Sequence, residues 1–409
     1  MYNHEIIIIG TGIAGLSCAK ILDKNHKRFI AFESESCVGG RISTDIVRDH
    51  ILDRGFQVFV KGYPFYKNII DIDKLVLYSF KPGSLIRINN QFHQVIDPFR
   101  DIISGMKSIF TPIGSFFDKV KILKLRINLL FQNTKILNDN VSTYDYLKQK
   151  GFSDVIIKNF FIPFFGSVLL DNKLSTVKST FETIYKAMSI DRIGLLENGI
   201  GDFPKSIYET LPKHQFSFNS KVTSVEDHKV VFDDGSSLTA ETIVVATDGT
   251  TASDLTKVFE PPLYCSTTCL YFLTSKKIIE DPIIITNAGD GLINTICCLT
   301  NINPNYSKQN LISVNVNQIF PDISKNKLVE MIISELTSWF PKGINFEFIK
   351  LYEIPNALPK LTPVQFKSMK QIPQGKDGIY YCGDYLYGAS VNDAIKSGVV
   401  VAESILSLT

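Results

Sequence analysis

The sequence predicts an α/β protein whose central sheet is parallel, and three features near its N-terminus carry that prediction. Residues 4–9 form a strand-like run that ends in four consecutive isoleucines, which is typical of a strand covered by helices on both faces. A glycine-rich turn at residues 10–15 follows directly and opens a predicted helix at 13–24. A second apolar run at 28–32 then ends at a single acid, Glu33.

Together these features indicate a dinucleotide-binding site of the Rossmann type. Gly10 would form the tight turn, Gly12 would let the backbone approach a pyrophosphate, and Gly15 would let the helix pack on the strand. The helix N-terminus offers free N–H groups to that anion, and Glu33 can accept hydrogen bonds from an adenosine ribose. The alternative is a plain strand-turn-helix unit, because glycine-rich turns are common.

The bulk composition is that of a folded protein with more than one domain. The chain has 409 residues, of which 44% are hydrophobic and 21% charged, so two domains are expected and disorder is not. The net charge of +2 gives no field that would attract nucleic acid, and no nucleic-acid partner is predicted. The seven cysteines (18, 37, 265, 269, 297, 298 and 382) include no CxxC pair, so we expect buried thiols in a reducing cytoplasm rather than disulfides or a metal site.

The sequence contains no evident targeting or membrane-spanning segment, and a cytoplasmic location is predicted. The first strand begins by residue 5, which leaves no room for a signal peptide. No apolar run approaches the ~20 residues that a membrane span needs. Residues 105–131 are basic and amphipathic, with lysines at 107, 119, 121 and 124, an arginine at 126 and one acid, Asp118. Such a stretch can lie on a membrane surface, or can pack its apolar face inside the domain with its lysines in solvent.

The rest of the pattern predicts one nucleotide-binding domain assembled from three separated pieces. A second glycine turn at 37–41 carries Arg41, and a third polar-glycine element spans 53–59. From Tyr63 to about residue 190 the chain reads as helical and irregular, before loop chemistry returns at 197–204. A small β-unit follows at 216–247, with a hairpin turn at 234–235. The remaining predictions are strands at 262–274, 283–299, 310–317 and 379–382, and helices at 327–340 and 392–408.

These motifs resemble those of the large FAD-dependent group that includes flavin amine oxidases, protoporphyrinogen oxidases and phytoene desaturases. The likeness rests, in the expected order, on the fingerprint at 10–33, the turns at 39–41 and 199–201, the β-unit ending at 244–247, and the terminal segments 383–384 and 392–398. It implies a Rossmann-type FAD-binding domain (GR2-like flavoprotein) with an inserted α+β substrate domain. The FAD-binding domain would comprise residues 1–62, 190–250 and 375–409, and the substrate domain residues 63–189 and 251–374.

The resemblance also implies roles for individual residues, and non-covalent FAD is expected because no cysteine or histidine lies in the C-terminal loop after Asp384. Glu33 would hold the adenosine ribose, Arg41 would lie along the pyrophosphate or ribityl chain, and Val222 would pair the adenine edge through its backbone. Asp384 would bond a ribityl hydroxyl or, through water, the phosphates, and the helix beginning near Asn392 would direct its positive end at the flavin. The full set of expected contacts is Gly10, Gly12, Ile13, Ala14, Gly15, Glu33, Ser34, Gly40, Arg41, Gly55, Phe56, Gln57, Val222, Gly383, Asp384, Val391 and Asn392.

The expected reaction follows from the number of nucleotide fingerprints and from two departures from amine oxidases. Because one fingerprint is found and no second one, a substrate bond rather than NAD(P)H is expected to reduce the flavin, with reoxidation by oxygen or a quinone. Thr267 or Thr268 stands where amine oxidases place a lysine beside the flavin, and Ser390 stands where they place a cage tyrosine. These departures favour dehydrogenation of a small apolar substrate, as in desaturases and porphyrinogen oxidases.

The catalytic residues are left unassigned, and Gln57, Tyr385 and Tyr387 are the candidates for shaping the site. The aromatic run at 160–166 could line an apolar tunnel or simply fill a core. Two alternative functions stay open. One is a flavin amine oxidase with an unusual cage, and the other is a flavoprotein whose FAD is structural or supports a non-redox isomerisation.

Overall fold

The computed structural model describes residues 2–101, 103, 105, 108, 110–131 and 140–408 of the chain. The strands are β1 His4–Ile9, β2 Phe29–Phe32, β3 Thr44–Val47, β4 His50–Asp53, β5 Phe59–Val60, β6 Leu77–Ser79, β7 Gly83–Ile88, β8 Gln91–Ile96, β9 Ile193–Leu196, β10 Phe216–Ser217, β11 Val222–Glu226, β12 Lys229–Phe232, β13 Ser237–Val245, β14 Tyr264–Thr274, β15 Ile284–Asn287, β16 Thr295–Cys298, β17 Asn310–Val316, β18 Phe346–Pro359 and β19 Ile379–Tyr381. The helices are α1 Ile13–Lys24, α2 Tyr66–Ile69, α3 Phe116–Phe131, α4 Thr143–Gln149, α5 Asp154–Ile156, α6 Ile162–Leu169, α7 Lys178–Ile190, α8 Asp202–Glu209, α9 Gly249–Thr256, α10 Leu299–Ile302, α11 Lys325–Trp339, α12 Pro363–Met369 and α13 Val391–Leu406. The predicted α/β class is confirmed.

The first large sheet carries the N-terminal strand at its centre. Its order is β10-β2-β1-β13-β12-β11, and β19 pairs with the carboxyl end of β13. β10, β2, β1, β13 and β19 run parallel, whereas β11 and β12 form an antiparallel extension. The isoleucines of β1 are fully or almost fully buried, because helices and the β-extension cover both faces of the sheet.

Helices α1 and α13 pack against each other on one face of this sheet. A Cβ at Gly398 of α13 would lie 2.2 Å from the carbonyl oxygen of Ala14, so only a glycine permits this approach. Gly15 packs equally closely on the preceding turn, since its Cβ would lie 2.1 Å from the carbonyl oxygen of Gly10. The glycines therefore set how closely both helices pack at the edge where the nucleotide turn lies.

The second large sheet has the order β18-β14-β17-β16-β15-β7-β8. All of its pairings are antiparallel except that of β15 with β7. Helix α11 covers one face, where Leu328, Ile332 and Leu336 are buried against side chains of β14 and β17. A smaller sheet, β5-β9-β6, links the two large ones along the chain.

Three expectations for this region need correction. Residues 77–96 were expected to be helical or irregular but form β6, β7 and β8, with β7 and β8 joined through Asn89 and Asn90 at positive φ. The predicted strand at 283–299 is two strands, β15 and β16, separated by a loop. Strand β18 was not predicted at all.

Helices α3 to α7 form a layer beside β7 and β8. Within it Phe161, Phe165 and Phe181 are fully buried, and the rings of the last two lie 4.7 Å apart in an edge-to-face arrangement. The described part of the basic stretch at 105–131 includes α3, whereas Lys107 lies outside the described residues. No helix in the described ranges is long and apolar enough to cross a membrane. The cytoplasmic location stays a prediction.

Candidate cofactor site and active site

The predicted nucleotide turn lies at the carboxyl edge of the first sheet, where the segments that follow its parallel strands meet. Helix α1 begins at Ile13 with Gly12 as its N-cap, and no described side chain caps its first N–H groups. A Cβ at Gly12 would meet no described atom within 4 Å, and one at Gly40 would lie 3.7 Å from the Gly12 Cα. Open space therefore lies beside the uncapped start of α1, which fits a pyrophosphate.

Glu33 is buried beside this turn, and its carboxylate is held by the chain itself. Oε2 accepts from the backbone N and the Oγ1 of Thr11, at 2.9 and 2.7 Å, and Oε1 accepts from Ser34 Oγ and Glu35 N at 3.2 and 3.1 Å. An ionised carboxylate offers about four acceptor positions, so ribose hydroxyls would share or replace the two longer bonds. Thr11 fixes the orientation of Glu33, and its place between two glycines is the signal from which this role could have been read.

Strand β11, which was expected to meet adenine, begins close to Glu33. Ser220 N donates to Glu33 O at 2.8 Å and Asn219 N to Glu35 O at 3.1 Å, which brings the start of β11 beside the end of β2. Val222, the first residue of β11, is buried and pairs with Phe232 across the hairpin. The expected adenine and ribose contacts therefore adjoin.

Arg41 and Asp384, from opposite ends of the sequence, form an ion pair at the same edge. Arg41 Nη2 donates to both carboxylate oxygens of Asp384 at 2.8 Å, and its Nη1 donates to Ala357 O at 3.0 Å. These bonds use three of the five N–H donors of a guanidinium. Two donors remain for phosphate or ribityl oxygens, and Gly383 orients Asp384 because its own N–H donates to Ser397 Oγ at 2.9 Å.

The loop of Gly55, Phe56 and Gln57 lies between these groups and the second sheet. The Gln57 amide donates to Arg41 O at 2.8 Å and to Arg54 O at 3.2 Å, so this side chain holds the loop rather than facing a substrate. Gly55 has φ +87°, and a Cβ there would lie 2.6 Å from Ile354 Cδ1 of β18. Strand β18 thus borders the site through Ile354 and Ala357, which the sequence did not indicate because β18 was not foreseen.

A buried carboxyl group that the sequence did not single out joins the segments around this loop. Asp53 accepts from Thr44 Oγ1 at 2.6 Å, Ile200 N at 2.8 Å and Tyr306 OH at 2.9 Å. Its carbonyl oxygen accepts from Tyr271 OH at 2.7 Å. Burial raises the pKa of Asp53 to about 6, despite these donors.

The start of α13 is the second helix N-terminus expected near the flavin. Its N-cap is Ser390, whose Oγ accepts from Asp393 N at 3.2 Å, and Asn392 Oδ1 accepts from Phe65 N at 3.2 Å. Val391 and Asn392 are its first residues, so their N–H groups have no acceptor within the helix. Burial raises the pKa of the neighbouring Asp393 to about 6.

The rings of the remaining catalytic candidates, Tyr385 and Tyr387, pack against other side chains of the protein. Tyr385 is completely buried and stacks at 6.2 Å on Phe259, and its hydroxyl has no partner among the described residues. Tyr387 is half-buried with Lys396 Nζ 4.8 Å above its ring. Tyr385 therefore offers no surface to a substrate, and neither tyrosine has the open placement of a cage residue.

At the position in β14 where amine oxidases were expected to carry a lysine beside the flavin, this chain has two threonines whose hydroxyl groups are hydrogen-bonded. Thr267 Oγ1 donates to Val316 O at 3.0 Å, and Thr268 Oγ1 donates to Gln318 O at 2.7 Å. Both threonines are buried in β14. Neither supplies a base or a cation to a substrate.

A cavity of about 220 Å³ lies in the helical layer, between the β7–β8 hairpin and helices α3, α6 and α7. Its walls are mostly apolar and include Phe160, Phe164 and Phe165 from the aromatic run, while Phe161 belongs to the core. Arg126 also lines it, with its guanidinium paired to Asp97. None of the expected FAD contacts borders this cavity.

Four features fit the polar groups of FAD: the open space beside Gly12, the uncapped start of α1, the buried Glu33, and two Arg41 donors that no described residue uses. Comparison with known proteins agrees. The sequence profile of the family described as flavin containing amine oxidoreductase matches residues 13–406.

Individual relatives are similar over almost the whole chain. A 15-cis-phytoene desaturase of Capsicum annuum is 22% identical, covering 98% of this chain and 78% of its own. An L-amino-acid oxidase of Echis ocellatus is 22% identical, covering 98% and 88%. The solved structure of a protein provisionally described as a protoporphyrinogen oxidase, from Exiguobacterium sp. 255-15, superposes with a TM-score of 0.73 at 15% identity, covering 100% of both chains.

These findings confirm the predicted superfamily, the FAD cofactor and the oxidoreductase class. The division into domains and the individual cofactor contacts stay predictions. The chain belongs to the family of flavin containing amine oxidoreductases.

Proposed function

We propose that this chain is an FAD-dependent dehydrogenase of an apolar substrate. When bound, FAD supplies an acceptor for a hydride from a substrate carbon at its N5 atom, and oxygen or a quinone takes the electrons onward. The observation that carries the proposal is the engagement of Thr267 and Thr268 with carbonyl oxygens of the neighbouring segment. A site without a free base or cation there suits a carbon–hydrogen bond better than an amine.

In this proposal the protein binds and orients rather than exchanges protons. The start of α1 and the free donors of Arg41 hold the phosphates, and Glu33 fixes the ribose. Gln57 keeps the loop of Gly55 and Phe56 in place through its bonds to two carbonyl oxygens. Ile354 packs against that loop and helps to exclude water from it.

A further observation supports an apolar substrate. One relative that matches 98% of the chain is named 15-cis-phytoene desaturase. At 22% identity the relatives leave the substrate itself as part of the proposal.

Non-covalent attachment of FAD is also proposed. The chain has no cysteine or histidine after Asp384, and Cys382 is fully buried with its thiol pKa raised by burial. A protonated, inaccessible thiol is a poor nucleophile.

The experiment is anaerobic reduction of the purified holoenzyme, followed through the visible absorption of the bound flavin. Polyenes and porphyrinogens in detergent are compared with amines and L-amino acids, and oxygen or a quinone is then admitted. We expect bleaching by an apolar substrate only, with colour restored by the acceptor. Detergent alone and protein heated before the assay are the controls.

The main competing function is that of an amine oxidase, which the match to an L-amino-acid oxidase over 98% of the chain favours. Bleaching by an amine or amino acid, with hydrogen peroxide released in air, would replace the proposal by that function. Turnover of a substrate by photoreduced enzyme without net change in flavin absorption would instead indicate an isomerase.

A further inference from the structure

Helix α3 (Phe116–Phe131) carries apolar side chains on two opposite faces. On the inner face Leu125 and Leu129 are buried in the core of the helical layer. On the outer face the spacing of four, three, four and three residues aligns a second row, which we call the outer stripe: Phe116, Val120, Leu123, Ile127 and Leu130. A helix that needed only to pack on its own domain would have a polar outer face.

The outer stripe is exposed rather than covered by described residues. Phe116 is 61% exposed, and the two aromatic residues beside the stripe, Phe117 and Phe131, are 74% and 87% exposed. The other members of the stripe are between 36% and 46% exposed. Single exposed apolar residues are ordinary, but a contiguous row on one helix marks an interaction surface.

The charges of α3 are distributed around this stripe. With about 100° between successive residues, Lys119 and Lys124 fall on opposite borders of the outer stripe. The Lys119 ammonium group donates to Thr111 O at 2.7 Å, whereas the Lys124 side chain is exposed. The one acid of the helix, Asp118, is buried on the inner side, where it accepts hydrogen bonds from Ser115 and Ser153. The outer face of α3 therefore combines an apolar row, the exposed Lys124 on one border and no acid.

We propose that α3 docks this chain on the surface of an anionic lipid bilayer. The helix would lie in the plane of the interface, with the outer stripe and Phe117 among the upper acyl chains and Lys124 at the headgroups. A second copy of the chain suits the surface less well, because a two-fold contact between α3 helices would offer Lys124 no acid on the outer face of the partner. A bilayer with acidic headgroups satisfies the apolar row and Lys124 at once.

The position of α3 in the fold agrees with this role. Lys119, Ile122, Leu123 and Arg126 of the same helix also line the apolar cavity of the helical layer. The docked face and the cavity thus share one helix as their common wall. A molecule dissolved in the bilayer would have an apolar volume directly behind the contact.

Vesicle flotation of the full-length holoenzyme tests the proposal. Vesicles of phosphatidylcholine alone are compared with vesicles that also contain phosphatidylglycerol, at low and high salt. We expect binding to the anionic vesicles that weakens with salt, since surface charge is screened. Absence of flotation with anionic vesicles at low salt would overturn the proposal.

Matched variants locate the contact. Phe117→Ser and Phe131→Ser should each weaken binding about tenfold, because partial burial of a phenylalanine ring is worth about 1.4 kcal/mol. Lys124→Glu should weaken it by about tenfold or more, from the loss of one attraction and the gain of one repulsion. The controls are Val364→Ser, at a side chain that is 79% exposed on α12, and Lys342→Glu in the exposed loop before β18.

The outcomes separate the possible occupants of the surface. Equal loss in the control variants, with unchanged folding by circular dichroism, would show that α3 is not the contact. A concentration-dependent dimer in sedimentation that Phe117→Ser abolishes, without vesicle binding, would assign the surface to a second copy instead.

Discussion

The substitution Gly12→Ala separates cofactor binding from folding, because the space beside Gly12 is open to solvent. Its backbone, at φ −65° and ψ 178°, is one that alanine adopts without strain, and the new Cβ would meet no described atom within 4 Å. The gain of about 0.4–1 kcal/mol from reduced freedom of the unfolded chain is offset by the lower preference for alanine than for glycine at an N-cap, so the apoprotein should be about as stable as the parent.

The same methyl group would stand in the open space beside the start of α1. It would hold the pyrophosphate away from the first N–H groups of the helix, and charge-assisted hydrogen bonds of this kind contribute about 1.5–3 kcal/mol each. Loss of one such bond predicts FAD affinity lowered roughly tenfold to hundredfold. The comparison variant is Gly15→Ala, whose Cβ would lie 2.1 Å from Gly10 O and should destabilise the apoprotein itself.

Both quantities can be measured on protein freed of flavin. Thermal unfolding of the apoprotein reports stability, and quenching of FAD fluorescence on titration reports affinity. If Gly12→Ala binds FAD as tightly as the parent, the pyrophosphate does not pass this residue. If it lowers the unfolding temperature of the apoprotein as Gly15→Ala does, the space beside Gly12 is not open.

Three other changes test separate parts of the description. Glu33→Gln should weaken FAD binding by about 1–3 kcal/mol in the same titration, through loss of charged hydrogen bonds, and unchanged affinity would remove Glu33 from the ribose site. The raised pKa of Asp53, about 6 against 3.8, predicts that ionisation of this group lowers the unfolding free energy as pH rises from about 4 to 6, by up to roughly 3 kcal/mol. In denaturant unfolding across that range, the unfolding free energy of the parent should fall with pH relative to that of Asp53→Asn, which has no carboxyl group to ionise. A constant difference between the two unfolding free energies would contradict the raised pKa. Gly398→Ala should cost about 1–3 kcal/mol by forcing α13 away from Ala14, and an unchanged denaturation midpoint would show that the helices can separate freely.

The nucleotide edge could be predicted from the sequence because its parts lie in short contiguous motifs. Gly10, Gly12 and Gly15 each have a conformational or steric duty that few other residues can perform, and the strand and helix around them have clear periodicity. The capture of Glu33 by Thr11 depends on side-chain orientation, which no spacing specifies. The pairing of Arg41 with Asp384 joins residues 343 positions apart, and only the family resemblance brought them into one site.

The strands of the second sheet were harder to predict for physical reasons. Strand β18 contains Pro355 and Pro359, and proline within a run argues against a central strand. β18 is an edge strand, where unpaired N–H positions tolerate proline. The β7–β8 hairpin turns at Asn89 and Asn90 without a glycine, so its turn signal is weaker than that of 234–235.

The exposed row on α3 could not be read from composition either. The helix is apolar over most of its circumference, so the sequence left open which side faces the domain. In the structure Leu125 and Leu129 are buried against the helical layer, so the outer stripe on the opposite side of α3 is exposed.

The hydrogen bonds of Asp53 have a consequence for how the molecule comes apart. This one carboxyl group accepts from the loop before α8 and from Tyr306, which belongs to the region of the second sheet, while its own carbonyl receives Tyr271 of β14. Asp53 lies on β4, outside both large sheets, and the two sheets cannot separate without breaking hydrogen bonds that join them through this strand. They should therefore unfold as one cooperative unit, with FAD release and loss of the second sheet occurring together rather than in sequence.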